Sequence, residues 1–189
     1  PSLRRTGWKT LIRDDINEEF GHLANLQRVV KIRELLGTRE KVGILLQPDP
    51  DPDGIASAYA LRYLLGRKRT TAPLISFGEV QRPENQALCD AIGIEVRVIT
   101  PEELNEFDAL VLVDVQPNVF GDDPPERLKQ PDVVIDHHPE RTGYSATIKD
   151  LRVSYGATAS ILTEYLRATK TEVNAKLATA LLYGIKTDT

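Results

Sequence analysis

The chain has little sulfur, few aromatic residues and no long apolar run. Among 189 residues it contains no methionine and a single cysteine, and aromatic residues make up 6% of it. One cysteine cannot form an internal disulfide, so a disulfide-stabilised secreted domain is excluded and a reducing cytoplasm is favoured. No segment approaches the roughly 20 apolar residues that span a bilayer, and the sequence starts with no signal peptide. These features predict a cytoplasmic protein without a membrane anchor.

The charge balance is mildly acidic, with 24 lysine and arginine residues, 28 aspartate and glutamate residues and a formal net charge of −4. This balance argues against a strongly basic nucleic-acid platform, although a local basic groove is compatible with it. A length of 189 residues suits one large domain, or a domain with an appendage. Because the chain lacks methionine and stops at Thr189, directly behind an acidic motif, we expect it to be part of a longer protein.

Hydrophobic periodicity divides the chain near residue 40. Residues 1–20 are charged and weakly patterned, whereas apolar residues from 22 to 36 recur at three- and four-residue steps, which predicts a helix. We interpret residues 1–39 as a helical extension that packs on the core; the alternative is that it docks a partner or a second subunit in a homodimer. Over residues 40–189, short apolar runs alternate with helical patterns. This alternation predicts an α/β fold with a doubly wound, mainly parallel sheet flanked by helices.

The expected elements follow one another closely. Strands are predicted at 42–46, 72–77, 95–99, 110–113 and 133–135, and helices at 55–65, from Pro83 to about Gly93, at 158–168 and at 174–184. The cysteine, Cys89, falls in the second of these helices. We interpret it as a small buried side chain rather than a nucleophile, because no histidine lies near it in the sequence.

Polar residues follow four apolar segments. Gln47 and Asp49-Pro50-Asp51-Pro52-Asp53-Gly54 come after 42–46, Asp114 after 109–113, Asp136-His137-His138 after 133–135, and Asp188 closely after 177–185. Open α/β sheets bind ligands at the carboxyl ends of their strands. Carboxylates and imidazole at this edge predict one divalent-metal centre, and the mostly oxygen ligand set favours Mn²⁺ or Mg²⁺ over a thiolate-bound zinc.

These groups also have ordinary structural interpretations. The acidic loop is equally typical of a solvated turn, Asp114 of a helix cap, and Asp188 of an exposed terminal acid. Against this, three carboxylates at alternate positions repel one another unless a cation neutralises them. If the loop is extended, Asp51 and Asp53 point to opposite sides and serve different ions of a pair.

Candidate roles follow from position along the strands. Asp114 on a central strand can bridge both ions, and His137 is assigned as a ligand because two adjacent histidines are costly to bury unpaired. His138 is assigned as the group that faces the phosphate. Asp136 either orients an imidazole or caps the following segment. A metal pair roughly 3.5–4 Å apart activates water and clamps both oxygens of an in-line displacement at phosphorus.

With these residues, the chain resembles the DHH phosphoesterase superfamily, named for the triplet Asp136-His137-His138. Four motifs within residues 40–189 follow the family's order: Pro50-Asp51-Pro52-Asp53 with Ser57, Val113-Asp114, Ile135-Asp136-His137-His138-Pro139, and Gly184-Ile185-Lys186-Thr187-Asp188-Thr189. Gly156-Ala157-Thr158-Ala159 also follows the family pattern. The resemblance implies two Mn²⁺ ions, with Mg²⁺ as the other candidate, and a phosphate contact from His138. The implied ligands are Asp51, Asp53, the bridging Asp114, His137 and Asp188.

The first motif departs from the branch that resembles oligoribonucleases and pAp phosphatases, which has a histidine where this chain has Gln47. It instead resembles the Asp-x-Asp-x-Asp-Gly motif of the RecJ exonuclease branch, and our hypothesis is that Asp49 replaces the histidine as a metal ligand. The resemblance also implies a smaller C-terminal domain with basic substrate contacts, which residues 1–189 do not include. We therefore expect this segment alone to bind metal but to turn over substrate weakly or not at all.

The leading functional prediction is a Mn²⁺-dependent hydrolase of phosphoester bonds in small nucleotides: short oligoribonucleotides, pAp or cyclic dinucleotides. The acidic surface favours such substrates over long duplex DNA, which needs many phosphate contacts. One alternative is a single-strand-specific exonuclease, which a basic, aromatic-bearing extension would favour. The other is a degenerate domain that senses a nucleotide without cleaving it, for which Gln47 is the main support.

Overall fold

The computed structural model describes residues 13–189, so the first part of the predicted extension, residues 1–12, lies outside the described residues. The strands are β1 (Val42–Leu45), β2 (Leu74–Ser76), β3 (Val96–Val98), β4 (Ala109–Val113), β5 (Val133–Asp136) and β6 (Ile148–Leu151). They form one sheet in the order β3-β2-β1-β4-β5-β6, and every neighbouring pair is parallel. The predicted doubly wound α/β fold is confirmed.

Helices follow most of the strands. They are α1 (Arg13–Gly37), α2 (Pro52–Leu64), α3 (Pro83–Ile92), the short α4 (Glu126–Lys129), α5 (Thr158–Ala168) and α6 (Ala175–Asp188), with 3₁₀ turns at Glu102–Glu106 and Pro117–Phe120. Among the differences from the sequence expectations, α2 begins three residues before the predicted 55, α6 continues to Asp188 beyond the predicted 184, and β6 was not predicted. Between residues 13 and 189, no helix is both long and apolar enough to cross a membrane.

The core lies on both faces of the sheet. All four residues of β1 and all five of β4 are buried, as expected for central strands of a covered parallel sheet. Side chains at alternate strand positions, such as Val111 and Val133, pack with α1, α2, α3, α5 and α6. The side chains between them, such as Leu112 and Val134, pack with the 3₁₀ turn at 102–106 and with α4. Cys89 is buried on α3 within the first of these layers, which agrees with its interpretation as a core side chain.

Helix α1 packs on α5 through one narrow face. Val29, Ile32 and Leu36 are buried there, because steps of three and four residues return to the same side of a helix. Two of the apolar residues between 22 and 36, Leu23 and Val30, are exposed. The buried face is therefore narrower than the full apolar pattern, since successive residues lie 100° apart and Val30 cannot share the face of Val29.

The strand order reverses between β1 and β4, which lie side by side at the centre of the sheet. In open α/β sheets, ligands bind in the crevice outside the carboxyl ends of the strands at such a reversal. Helix α6 closes this crevice because Gly184 lets it approach α2. A Cβ at Gly184 would lie 3.1 Å from the Pro52 carbonyl oxygen and 3.2 Å from Asp53 Cα. Because Gly184 has no side chain, the end of α6 can lie beside the first acidic motif.

Candidate metal centre

The first acidic motif is partly loop and partly helix. Asp51 is the N-cap of α2, and its Oδ1 accepts a hydrogen bond from the Gly54 amide at 2.9 Å. Pro52 and Asp53 already belong to the first helical turn, where proline is well tolerated. The expectation that an extended backbone directs Asp51 and Asp53 to opposite sides is therefore wrong. Gln47 lies next to this cap, and its Nε2 donates to Asp51 Oδ2 at 3.2 Å.

Asp53 is buried and links α2 to α5. Its carboxylate accepts hydrogen bonds from the backbone amides of Thr158 (2.7 Å) and Ala159 (2.8 Å), in the first turn of α5. The α5 N-cap, Ala157, makes no side-chain hydrogen bond of its own. A carboxylate beside the unpaired amides of a helix N-terminus is favourable, so Asp53 caps α5 from a distance of more than 100 residues in sequence.

Asp114 ends β4 in an unusual backbone conformation. Its φ of 60° lies in the left-handed region, and its amide donates to the Ile135 carbonyl at 2.9 Å. The buried carboxylate accepts a 2.8 Å hydrogen bond from Thr158 Oγ1. A Cβ at Gly54 would lie 3.4 Å from Asp114 Oδ2 and 3.5 Å from Asp51 Oδ1. The carboxylates from the ends of β1 and β4 therefore border the same glycine.

His137 carries a buried nitrogen without a hydrogen-bond partner. Its Nδ1 lies 3.2 Å from the Tyr155 carbonyl oxygen, and because a carbonyl only accepts, Nδ1 carries the hydrogen. In the neutral ring Nε2 then carries the lone pair, and it has no hydrogen-bond partner within the described chain. It lies 3.1 Å from Asp188 Oδ2 and 3.6 Å from Asp114 Oδ1. This is the usual arrangement of a metal-binding histidine, whose second nitrogen is fixed by a carbonyl or carboxylate.

A polar network holds the Tyr155 carbonyl in place. The Tyr155 hydroxyl donates to Glu164 on α5 at 2.7 Å, and its amide donates to the Arg152 carbonyl at 2.9 Å. The Arg152 guanidinium in turn donates to Asp150, Glu164 and Asn25. Since Asn25 belongs to α1, the N-terminal helix contributes to the shell that supports His137.

His138 is oriented by Asp136. Its Nδ1 lies 2.8 Å from Asp136 Oδ1, and its amide donates to the same oxygen at 3.2 Å. The His138 side chain is 56% exposed, whereas that of Asp136 is buried. The structure thus places Asp136 as the partner of the second imidazole, not the first, and leaves His138 Nε2 as the accessible nitrogen of the ring.

The structure brings most of the predicted ligands together. The ligand atoms of Asp53, His137 and Asp188 lie within 4.8 Å of one another, as do those of Asp114, His137 and His138. His137 belongs to both groups, so the two are parts of one centre. Of the other predicted ligands, Asp51 lies beside this centre, on the opposite side of Gly54 from Asp114. Gln47 is connected to the centre by its hydrogen bond to Asp51.

Asp49 is turned away from this cluster. Its Oδ1 accepts a hydrogen bond from the Gln81 amide at 2.8 Å, and its Oδ2 lies 3.6 Å from Arg82 Nε. Asp49 has a φ of 52°, so the chain reverses there and sends its side chain towards the loop before α3. The arrangement gives no support to the hypothesis that Asp49 replaces the missing histidine.

A matched pair of variants tests this placement. We expect Asp49→Asn to leave the Mn²⁺ dissociation constant within about twofold of the parent value, and Asp51→Asn to raise it by about tenfold or more, or roughly 1.4 kcal/mol. Asparagine is the suitable replacement because it tolerates the left-handed conformation of Asp49. Calorimetric titration with Mn²⁺ measures both constants. Equal losses from the two variants would restore Asp49 as a ligand.

Burial and mutual repulsion act on the central carboxyls. Desolvation raises the pKa of Asp114 well above its usual value, and the charges of Asp53 and Asp51 raise it further. Burial also raises the pKa of Asp53, although the α5 amides oppose this shift. A bound divalent cation relieves both penalties. The hard oxygen donors, together with the unpaired Nε2 of His137, fit a divalent metal such as Mn²⁺ or Mg²⁺.

Three supporting groups had no role predicted from the sequence: Thr158, Gln116 and the Tyr155 carbonyl. Thr158 was noted only within the Gly156–Ala159 motif, although it contacts two of the predicted ligands. Gln116 lies two residues after Asp114, and this proximity is the one sequence signal for its role. A backbone carbonyl such as that of Tyr155 gives no signal in the sequence.

A comparison with protein-family models identifies the class. The N-terminal domain of the DHH family matches residues 41–185, which is well over half of the chain. The protein therefore belongs to the DHH family, as the motifs predicted. Helix α1 lies before the matched segment.

Two relatives extend this result. An uncharacterised protein of Methanocaldococcus jannaschii is 37% identical over 146 residues, which are 77% of this chain and 30% of that protein. The crystal structure of an exopolyphosphatase-related protein from Bacteroides fragilis superposes with a TM-score of 0.68 at 14% identity, covering 86% of this chain and 50% of that one. The second likeness concerns the fold. The chain thus spans about a third of one relative and half of the other.

Proposed function

We propose that this domain carries the metal centre of a phosphoesterase that hydrolyses small nucleotides. The observation that carries the proposal is the unpaired Nε2 of His137, buried among the carboxylates of Asp53, Asp114 and Asp188 at the reversal of strand order. Membership of the DHH family supports the same chemistry. No comparable grouping of metal-binding side chains occurs elsewhere in residues 13–189.

Each side chain then has a defined task. Asp53, Asp114, His137 and Asp188, with Asp51 at the border, hold two divalent ions, for which Mn²⁺ is our choice. At such a site divalent ions supply activation of a water molecule and neutralisation of charge on phosphoryl oxygens. Asp136 holds His138 so that its exposed nitrogen faces a phosphoryl oxygen, and a ring that carries hydrogen on both nitrogens would donate there and stabilise the developing charge.

The proposed substrates are short oligoribonucleotides, pAp or cyclic dinucleotides. The net charge of −4 supports a substrate with few phosphates, because long nucleic acids are held by many cationic contacts. A cytoplasmic location, where such nucleotides occur, is supported by the single buried thiol of Cys89.

A catalytically inactive nucleotide sensor is the second candidate. Gln47 and the outward placement of Asp49 favour it, because together they leave the first motif with fewer ligands than the family pattern implies. A RecJ-like exonuclease is a third alternative, and a basic, aromatic-bearing extension that binds single-stranded DNA would favour it.

A direct assay tests these candidates. Full-length protein would be incubated with pAp, a two- to five-nucleotide RNA, cyclic di-AMP and a long single-stranded DNA, with Mn²⁺ and with a chelator. We expect Mn²⁺-dependent cleavage of one of the small nucleotides. Preference for the long DNA would favour the exonuclease, and tight nucleotide binding without cleavage would favour the sensor. Residues 1–189 alone are expected to bind Mn²⁺ but to cleave weakly or not at all.

A further inference from the structure

Gln116 lies behind the metal centre with all of its hydrogen-bonding capacity used. The residue is 2% exposed and follows β4 at the start of a 3₁₀ turn. Its Nε2 donates to Asp136 Oδ2 at 2.7 Å and to the Pro139 carbonyl at 3.1 Å. Its Oε1 accepts from the Arg141 amide at 2.7 Å and from the Tyr144 hydroxyl at 3.3 Å. A side-chain amide offers two donors and two acceptor lone pairs, and all four are engaged.

Gln116 holds Asp136, the hydrogen-bond partner of His138, by its second carboxylate oxygen. Asp136 Oδ1 receives the amide and the ring nitrogen of His138, while Oδ2 receives Gln116. A carboxylate held at both oxygens cannot rotate about its last bond, so the imidazole bonded to it has one orientation. Gln116 also forms hydrogen bonds with the backbone of Pro139 and Arg141, in the segment that follows His138.

We propose that Gln116 is the positioning residue for His138. It acts through Asp136 and through the 139–141 backbone, and it touches neither the predicted ligands nor the expected substrate position. The inference rests on the proposed function, because it assigns a task in orienting the imidazole that contacts the phosphate. Replacement of Gln116 lowers turnover because it leaves Asp136 Oδ2 buried without a donor and frees the His138 ring.

Two substitutions separate orientation from general loosening of the loop. Gln116→Glu keeps the length of the side chain and an acceptor for the Arg141 amide, but it replaces the amide donor that faces Asp136 with a carboxyl group, whose ionised form repels Asp136. Asn118→Ala is the matched control. The Asn118 side chain donates to the Thr142 carbonyl at 3.0 Å, so its loss loosens the same loop without touching Asp136.

The measurement is hydrolysis of bis(para-nitrophenyl) phosphate by full-length protein with Mn²⁺, together with Mn²⁺ titration. We expect Gln116→Glu to lower kcat by about 10- to 100-fold, with KM and Mn²⁺ affinity within about twofold of the parent. Asn118→Ala is expected to retain the parent kcat within about twofold. In a His138→Ala background, Gln116→Glu should have almost no further effect, because coupled residues are not additive.

Additive losses in that double-mutant cycle, or an equal loss in Asn118→Ala, would overturn the assignment.

A second readout does not need activity. ¹⁵N NMR spectra of the metal-free protein report which tautomer the neutral His138 ring adopts. We expect the Nδ1–H tautomer in the parent and exchange between the Nδ1–H and Nε2–H tautomers in Gln116→Glu. If the parent hydrolyses no phosphoester but the NMR difference is found, the proposed function fails and the positioning role stands. If the spectra are identical, the positioning role fails.

Discussion

Asp114→Asn is expected to lower Mn²⁺-dependent hydrolysis by about 10³-fold or more, which corresponds to roughly 4 kcal/mol of transition-state stabilisation. Asp114 belongs to the ligand group that shares His137 with the second group; its Oδ1 lies 3.6 Å from His137 Nε2, and Thr158 holds it in place. A neutral amide cannot balance the charge of two divalent ions. The loss should therefore appear in kcat and in metal affinity together.

Asparagine is the informative replacement because the backbone at this position is left-handed, with a φ of 60°. Asparagine adopts this conformation readily, whereas alanine there adds backbone strain to the loss of the carboxylate. The amide oxygen of asparagine can still accept the hydrogen bond from Thr158 Oγ1. Asp114→Asn thus removes the charge and preserves the local geometry.

The control variant is Asp108→Asn, at the opposite end of the same strand. Asp108 accepts a hydrogen bond from the Lys41 amide at 2.8 Å and has no contact with the centre. It should keep the parent kcat within about twofold. Hydrolysis rates and calorimetric Mn²⁺ titration would be measured on both variants. Retention of more than a tenth of the activity by Asp114→Asn would rule out a bridging role.

The location of this site could be predicted because it follows from the fold. Apolar runs before Asp51, Asp114 and His137 indicated buried strands, and parallel strands bring their carboxyl ends to one edge of a sheet. Asp188 was predicted both from its position after an apolar run and from its family motif, but the structure places it at the end of α6 rather than after a strand. Strand order, which puts β1 beside β4, was not predicted.

What could not be predicted depends on contacts between distant residues. The bonds from Asp53 to the amides of Thr158 and Ala159 span more than 100 residues. The outward turn of Asp49 depends on the loop before α3. Strand β6 was missed because it is an edge strand in which only Asp150 is buried, and its sequence lacks a continuous apolar run. Local pattern does not encode these pairings.

The pH dependence of metal binding follows from the same crowding of carboxyls. The pKa values of Asp53 and Asp114 are raised in the folded protein, chiefly by burial. Between their usual values and the raised ones, the metal-free folded state holds protons that the unfolded state has released. These groups therefore make the metal-free protein less stable as pH rises through that window.

Metal binding should cancel this dependence, because the carboxyls are ionised both in the metal-bound folded state and in the unfolded chain. Only the ionised carboxyls of Asp53 and Asp114 bind a cation, so each raised pKa adds a proton that binding must displace. We expect Mn²⁺ affinity to rise by up to about tenfold per pH unit for each displaced proton, and the metal-induced increase in Tm to widen with pH. Calorimetric titrations in buffers of different ionisation enthalpy count the protons released. Asp114→Asn, which has lost one titrating group, should release fewer. An affinity independent of pH across this window would mean that the folded environment does not hold these carboxyls protonated.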